Sequence, residues 1–476
     1  MSLLFKNVQD ISSTSTRNGF SQSNWPQVSF QLMAIVTLVL AIESGIGTLS
    51  LSTFVWLAFA LICILGAIGA RTLPDYRIFN IHPVYGMISV AMTVQICQLL
   101  INPLHLNITI DRQLTFTLIM GSLSADAVLS GMLCASTPWL GSMILPLLIC
   151  VQTVLGITLI EALPKPGIDV LMFQQDSSAA LLQGINPYTI QFPDPYPPNY
   201  SAIFYGQGVS VNGVLQFGYP YMPVTLMFNI LGHLMGDIRY AGLIAIILSS
   251  MLISYAKPGR IGTAAAALLL VNPFFPLMVM LAWTESYSVF LLSLVWFCHC
   301  RAKKLLPFIV GLLIVSKQYM VLTAPAALLL LDRPYSLRQI FYFIWQASLT
   351  GLIITLPFFL WDPKAFWESV IVLQFHQPFR TDSLSFLVWI NPANPTRWIW
   401  IPFVASIIVM VLAFLRSNKC QVGYFLTVAA TLAFFFALNK QGCVNYYYLV
   451  IASLCCSLAE NSSAFNDVVQ SEITYN

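Results

Sequence analysis

Apolar runs of about twenty residues recur almost without pause from residue 28 to residue 459, and they leave this chain few ways to fold. A helix of roughly 20 apolar residues crosses a hydrocarbon core of about 30 Å. No water reaches backbone N–H and C=O groups inside lipid, so such runs must be helical. Of 476 residues 58% are hydrophobic and only 8% charged, against roughly 25% charged in soluble domains. The fold class expected is an all-α polytopic membrane protein.

Five apolar segments, about 28–43, 49–70, 84–104, 114–135 and 139–161, precede a long polar interval, Asp169–Tyr221. Segments near 238–256, 262–281, 287–300, 305–316, 319–331, 339–361, 398–416, 420–438 and 443–459 follow it. Residues 1–27 are rich in Ser, Asn and Thr and show no signal-peptide core with a cleavage site, so the first segment is expected to be retained. Lys/Arg-rich connections mark the cytoplasmic side. RTLPDYR (71–77), AKPGR (256–260), RAKK (301–304), DRPYSLR (332–338) and RSNK (416–419) all fall on one side if two conditions hold. The run 305–331 must be a pair of short helices broken at SKQY, and 222–236 must not cross the membrane. On that reading about fourteen spans result, and the Asp169–Tyr221 loop faces outward. So do GDIRY (236–240), AWTESY (282–287), SKQY (316–319), 362–397 and NKQGCVNYYY (439–448).

The net charge of +3 gives no argument for a nucleic-acid partner. Cys63, Cys97, Cys134, Cys150, Cys298, Cys300, Cys455 and Cys456 lie in or at the ends of apolar runs, as buried hydrophobes do, with no zinc or redox spacing. Histidine and cysteine form no metal-ligand signature, although a few carboxylates could bind a divalent ion. No cofactor is required by the sequence. Residues 170–183 read as an amphipathic surface helix ended by Gly184. Asn186-Pro187 and the prolines at 193, 195, 197 and 198 then impose an extended, turning path.

Asp169 stands just beyond the fifth apolar run, where partial burial tunes a carboxylate toward general-base work; a helix N-cap is its other reading. Asp176 follows seven residues later, on the same face of a helix. Lys317 interrupts an apolar run, either snorkelling or meeting a phosphate. Lys440 and Arg380 are outward positives that oppose the charge rule, and an anionic ligand is one reason for them. His376 is either an ordinary surface residue or part of the HQPFR cluster. Glu285 reads as an inter-helix acid or a cavity wall, and Asp237 and Arg239 as a mutual pair.

The order DVLMFQQDSSAALLQGINPY, YPYMP, GDIRY, NPFFPLMVMLAWTES, SKQY, PFRTDSLS and NKQGCVNYYY resembles the GT-C membrane glycosyltransferases. It is most similar to the polyprenol-phosphate-mannose-dependent mannosyltransferases of glycosyltransferase family 87, over about residues 139–459. The resemblance implies a GT-C-like helical bundle with a large extracytoplasmic loop at 162–221. It also implies inverting transfer of mannose or another hexose from a polyprenyl-phosphate donor to a lipid- or glycan-linked acceptor. Asp169 matches the family's base. Lys317, Arg380 and Lys440, with Tyr319 and Tyr447, would stabilise the leaving phosphate, and His376 would assist. Glu285, Asp176, Asn186 and Tyr188 are further candidates for substrate contact.

Residues 28–138 are then an added four-helix membrane module, with cytoplasmic tails at 1–27 and 460–476. The membrane implied is the bacterial plasma membrane, or the endoplasmic reticulum in a eukaryote. The loop follows the fifth span rather than the first, and its acidic signature is one Asp rather than a close pair. A lipid-linked-sugar flippase or transporter, and a polysaccharide polymerase or ligase, are the competing readings.

Overall fold

A computed structural model describes residues 25–45, 49–70, 82–101, parts of 119–129, 138–390, 398–417 and 420–460. The link RTLPDYR, most of the apolar segment at 114–135, Arg397, Lys419 and all but the inner ends of both tails lie outside the described residues. Helices α1 (Trp25–Gly45), α2 (Leu51–Gly69) and α3 (His82–Ile101) pack together, α1 touching both of the others. Gln31 on α1 donates to Ser457 Oγ (2.8 Å), tying this group to the last helix of the bundle.

Helix α4 (Pro138–Ala162) leads into the polar interval. Helix α5 (Asp169–Leu182) lies where a helix is expected at 170–183, with Phe173, Gln174, Ser177, Ser178 and Ala180 buried, and Gly184 follows it at φ +76, which suits glycine. The interval then departs from a plain extended path. It holds α6 (Pro198–Tyr205) and three two-residue strands, β1 (Phe192–Pro193), β2 (Ser210–Val211) and β3 (Val214–Leu215), antiparallel in the order β1-β3-β2. Asn212 (φ +53) and Gly213 (φ +77) make the β2–β3 turn, where both central residues need left-handed backbone. Phe173, Phe192, Tyr205, Leu215 and Phe217 of the interval form a small core with Leu373 from further along the chain.

Helices α7 (Pro223–Leu234), α8 (Arg239–Ala256), α9 (Arg260–Leu270), α10 (Phe275–Met280), α11 (Glu285–Arg301) and α12 (Leu306–Ile314) follow. Gln318–Leu330 is a 3₁₀ segment, and α13 (Leu337–Trp361) runs behind it. Helices α14 (Pro363–Trp367) and α15 (Leu373–His376) flank a π-turn at Glu368–Val372, and α16 (Phe386–Ile390) comes next. The chain closes with α17 (Ile401–Arg416), α18 (Gln421–Ala437) and α19 (Tyr446–Glu460). The centre of the bundle is α9, α11, α18 and α19, whose side chains are almost all buried.

Among the described residues five helices are long and apolar enough to cross a membrane: 26–45, 51–69, 143–162, 239–256 and 337–361. Shorter apolar helices, α7, α9, α17, α18, α19 and the 3₁₀ segment among them, complete the bundle.

Polar contacts sort the helix ends into two groups. At one end Lys257 pairs with Glu460 (2.9 Å), Arg301 donates to the Ala256 carbonyl (2.9 Å), Lys303 pairs with Asp332 (2.8 Å), and His299 meets Gln421. At the other, one α11 length or about 25 Å away, Glu285 meets Lys317. Lys303 and Asp332 therefore share an end while Lys317 between them lies at the opposite one, so 305–331 is a hairpin of two helices. Thr225 donates to the Ser316 carbonyl (3.3 Å) and the Ile238 amide to Gln175 (3.2 Å). Both ends of α7 thus stay on the Lys317 side, and α7 does not traverse the bundle.

Candidate active site

The position of Asp169 is set from below. Arg239, fully buried, is gripped through Nε and Nη2 by the Asp237 carboxylate and donates to the Leu163 (2.7 Å) and Ile160 (3.2 Å) carbonyls at the end of α4. These are carbonyls that no α-helix can satisfy internally. Gln174 on α5 donates to the Ala282 carbonyl (2.7 Å), and Ala282 holds a left-handed φ of +55 just ahead of α11. Asp169 and Glu285, each the first residue of its helix, are thereby locked to one framework.

Asp169 is half-buried at the N-terminus of α5. Ile168 is the cap residue, and the Asp169 carboxylate instead accepts from the Tyr205 hydroxyl at 2.6 Å. Burial pushes its pKa up; Tyr205, the Val170 amide, Arg380 and Tyr196 pull in the other direction without cancelling the rise. Its charge in turn adds to burial in raising Tyr196 and Tyr205, so both stay protonated donors.

Arg380 stands beside this carboxylate. Asp382 clamps its guanidinium through Nε (2.8 Å) and Nη2, and the Phe204 ring lies 4.5 Å from the guanidinium carbon. Two segments hold this arginine. The Arg380 amide donates to the Lys440 carbonyl (3.1 Å), the Leu384 amide to the Gly442 carbonyl (2.8 Å), and Gln441 to the Pro378 carbonyl (3.1 Å).

A second charged cluster lies across Tyr221. Lys317 Nζ is 2.5 Å from Glu285 Oε1, and Asn445 donates to Glu285 Oε2 (2.6 Å). The Tyr319 hydroxyl also reaches Glu285 (3.4 Å). The ammonium lies 5.3, 5.9 and 5.8 Å from the ring centres of Tyr221, Tyr319 and Tyr446. Tyr221 packs against the aromatic core that holds Tyr205 and carries the Lys317 ammonium over its ring, so it stands between the two clusters. Gln318 fastens the neighbouring backbone by donating to the Pro220 (3.2 Å) and Val370 (3.1 Å) carbonyls, the latter inside the π-turn.

The structure thus brings together Asp169, Arg380, Lys317, Glu285 and Tyr319. Lys440 is committed elsewhere: its ammonium donates to the Phe375 (2.9 Å) and Gln377 (2.6 Å) carbonyls at the end of α15, and burial lowers its pKa to about 8. The exposed His376 ring meets its own helix at the Val372 carbonyl (3.1 Å). Asp176 is exposed, facing His233 rather than Asp169. The Asn186 carboxamide accepts from the Tyr188 amide (3.0 Å), Tyr188 donates to the Tyr221 carbonyl (3.0 Å), and Tyr447 donates to the Leu384 carbonyl (2.6 Å). These three residues brace the loops instead of opening into the site.

Tyr196, Phe204, Tyr205, Tyr221 and Asn445 complete the two clusters without being among the residues expected there. For Tyr196, Phe204, Tyr205 and Tyr221 the signal is the density of aromatic side chains in the interval that Asp169 opens; no such pattern marks Asn445. Among the described residues no three His, Cys, Asp or Glu side chains come together as a metal site.

A groove adjoins the charged site. Val310, Ile314, Pro325, Leu328, Phe343, Gly351 and Thr355 are among the lining of a cavity of about 610 Å³ between α12, the 3₁₀ segment and α13. Met222, next to Tyr221 in the chain, also lines it. Compared with known proteins, the chain matches no family model, no curated protein and no solved structure.

Proposed function

We propose that this chain is an inverting glycosyltransferase that moves a hexose, mannose or another, from a polyprenyl-phosphate donor to a lipid- or glycan-linked hydroxyl on the extracytoplasmic face of a membrane. One observation carries the reading. The consecutive residues Tyr221 and Met222 join a site holding a carboxylate and two cations to an apolar groove. A donor with a phosphate head and a hydrocarbon tail needs both.

The acceptor hydroxyl gives its proton to the Asp169 carboxylate as its oxygen bonds to the anomeric carbon. The bond from that carbon to the phosphate oxygen breaks on the opposite face, and the electron pair leaves with polyprenyl phosphate. A carboxylate whose pKa is raised by burial is a better match to this work than a solvated one. Arg380, fixed by Asp382 and Phe204, presents a planar charge beside it. Lys317 has three donor protons and Glu285 takes one, so an anion entering beside Tyr221 finds the ammonium already in place.

The break between α12 and the 3₁₀ segment favours a second reading as a lipid-linked-sugar transporter, since interrupted helices often surround transport sites. Purified protein in detergent separates the two. Cleavage of, or transfer from, synthetic polyprenyl-phosphate mannose marks an enzyme. Passage of the intact donor across a proteoliposome bilayer, with no cleavage, marks a transporter.

A further inference from the structure

Phe204 and Tyr205, neighbours at the end of α6, each hold one charged group of the site. Phe204 carries Arg380 on its ring at 4.5 Å, and Tyr205 donates to Asp169 Oδ2 at 2.6 Å. We propose that Tyr205 is a positioning residue that fixes the orientation and charge of Asp169, and that α6 carries it for that purpose. The inference rests on the reading of Asp169 as the base.

Three features support it. The Tyr205 ring is 2% exposed and wedged among Phe217, Tyr196 and Phe173, with centroids 5.7, 5.9 and 6.4 Å away, so its hydroxyl has one direction in which to point. A hydrogen bond from a neutral donor to a carboxylate at this distance is of the strong, charge-assisted kind. The chain leaving α6 turns at Gly206, whose φ of +97 suits glycine, and passes within contact of the His376 carbonyl. The Phe204 ring under Arg380 ties the same helix end to the segment after α15.

Facing Asp169 are Tyr205 and Tyr196 from the loop, Arg380 from the segment after α15, Tyr221 ahead of α7, and the amide of Val170 on its own helix. Burial opposes the charged form, and Tyr205 is the foremost group that restores it. Phenylalanine at 205 keeps the ring and deletes the donor.

The test is labelling of the full-length purified protein with dicyclohexylcarbodiimide, which attacks protonated carboxyl groups, read at Asp169 by mass spectrometry across pH. Tyr205→Phe is expected to move the labelling midpoint up by about one pH unit, the effect of losing one hydrogen bond to a charged group. Fluorotyrosine replacing Tyr205, a stronger donor in an unchanged fold, moves it down. A midpoint unmoved by both overturns the inference.

The acid limb of kcat/KM for transfer from synthetic polyprenyl-phosphate mannose should shift with the label in Tyr205→Phe. If the label moves but Asp169→Asn still transfers, the positioning contact stands and the base reading falls. If Asp169→Asn is inactive and the label does not move, the base reading stands and the Tyr205 inference falls.

Discussion

Lys317 and Glu285 meet at 2.5 Å in the interior, one in the break between two short helices and the other opening α11. Their side chains are 6% and 0% exposed, so neither charge has water to fall back on. Removing one partner strands the other, which costs about 3–5 kcal/mol for a buried pair. Glu285→Gln and Lys317→Met should each lower the unfolding free energy by that order, and the double variant should recover part of the loss. Thermal unfolding of the purified variants reads this directly; additive losses would show that the pair is not coupled.

The groove beside Met222 gives a different kind of prediction. Ala327→Phe places a large ring into a cavity lined by Leu328, Phe343 and Gly351. The variant should raise KM for a long-chain polyprenyl-phosphate mannose by about tenfold, on the order of 1.4 kcal/mol. KM for a water-soluble, short-chain donor should change little. Equal effects on the two donors would remove the groove from the account.

Arg380 is held flat between Asp382 and Phe204, a geometry that a lysine cannot reproduce. Arg380→Lys keeps the charge yet should lose about tenfold or more in kcat/KM, because hydrogen bonds to charged groups contribute about 1.5–3 kcal/mol. Steady-state kinetics of the lysine and methionine variants side by side would show whether planarity or charge is what matters.

The deep reach of Lys440 into backbone carbonyls makes stability depend on pH. Burial lowers its pKa to about 8 in the folded protein from an ordinary 10.5. Between those values the unfolded chain binds the extra proton, so stability rises as pH rises from about 8 toward 10 and is lost as pH falls back through 8. Lys440→Met should flatten that rise in a series of melting curves. An unchanged slope would contradict the assignment.

Much of this arrangement was legible in the sequence because it follows from hydrophobicity and chain breakers. Gly184 ended α5 where the amphipathic pattern stopped, Asp237 and Arg239 paired, and the basic connections required the SKQY hairpin that the structure contains. The functions of individual polar residues were less legible. Lys440 and Arg380 both read as outward cations in need of an anion, yet Lys440 found carbonyl oxygens and Arg380 found Asp382. A sequence shows that a charge must be satisfied without saying by what. Strands of two residues carry no period to detect, so the sheet that seats α6 over Asp169 left no trace. The seven-residue spacing of Asp169 and Asp176 placed them on one helix face, but the rise along the axis separates them by about 10 Å.

Asp169 should also reveal itself through stability. Because burial raises its pKa, the folded state holds its proton more tightly than the unfolded chain does. Its favourable contribution is present at low pH and is lost as pH rises through the folded value, so the ionised carboxylate weakens the fold at neutral pH. Asp169→Asn should therefore melt higher than the wild type at pH 7, with the advantage fading toward acid pH.

The most direct measurement is sugar transfer from synthetic polyprenyl-phosphate mannose by purified wild type and Asp169→Asn, each verified as folded by its melting curve. Loss of a general base predicts a rate lower by about 10²–10⁴-fold with the protein intact. A stable Asp169→Asn protein that turns over the donor at the wild-type rate would contradict the account.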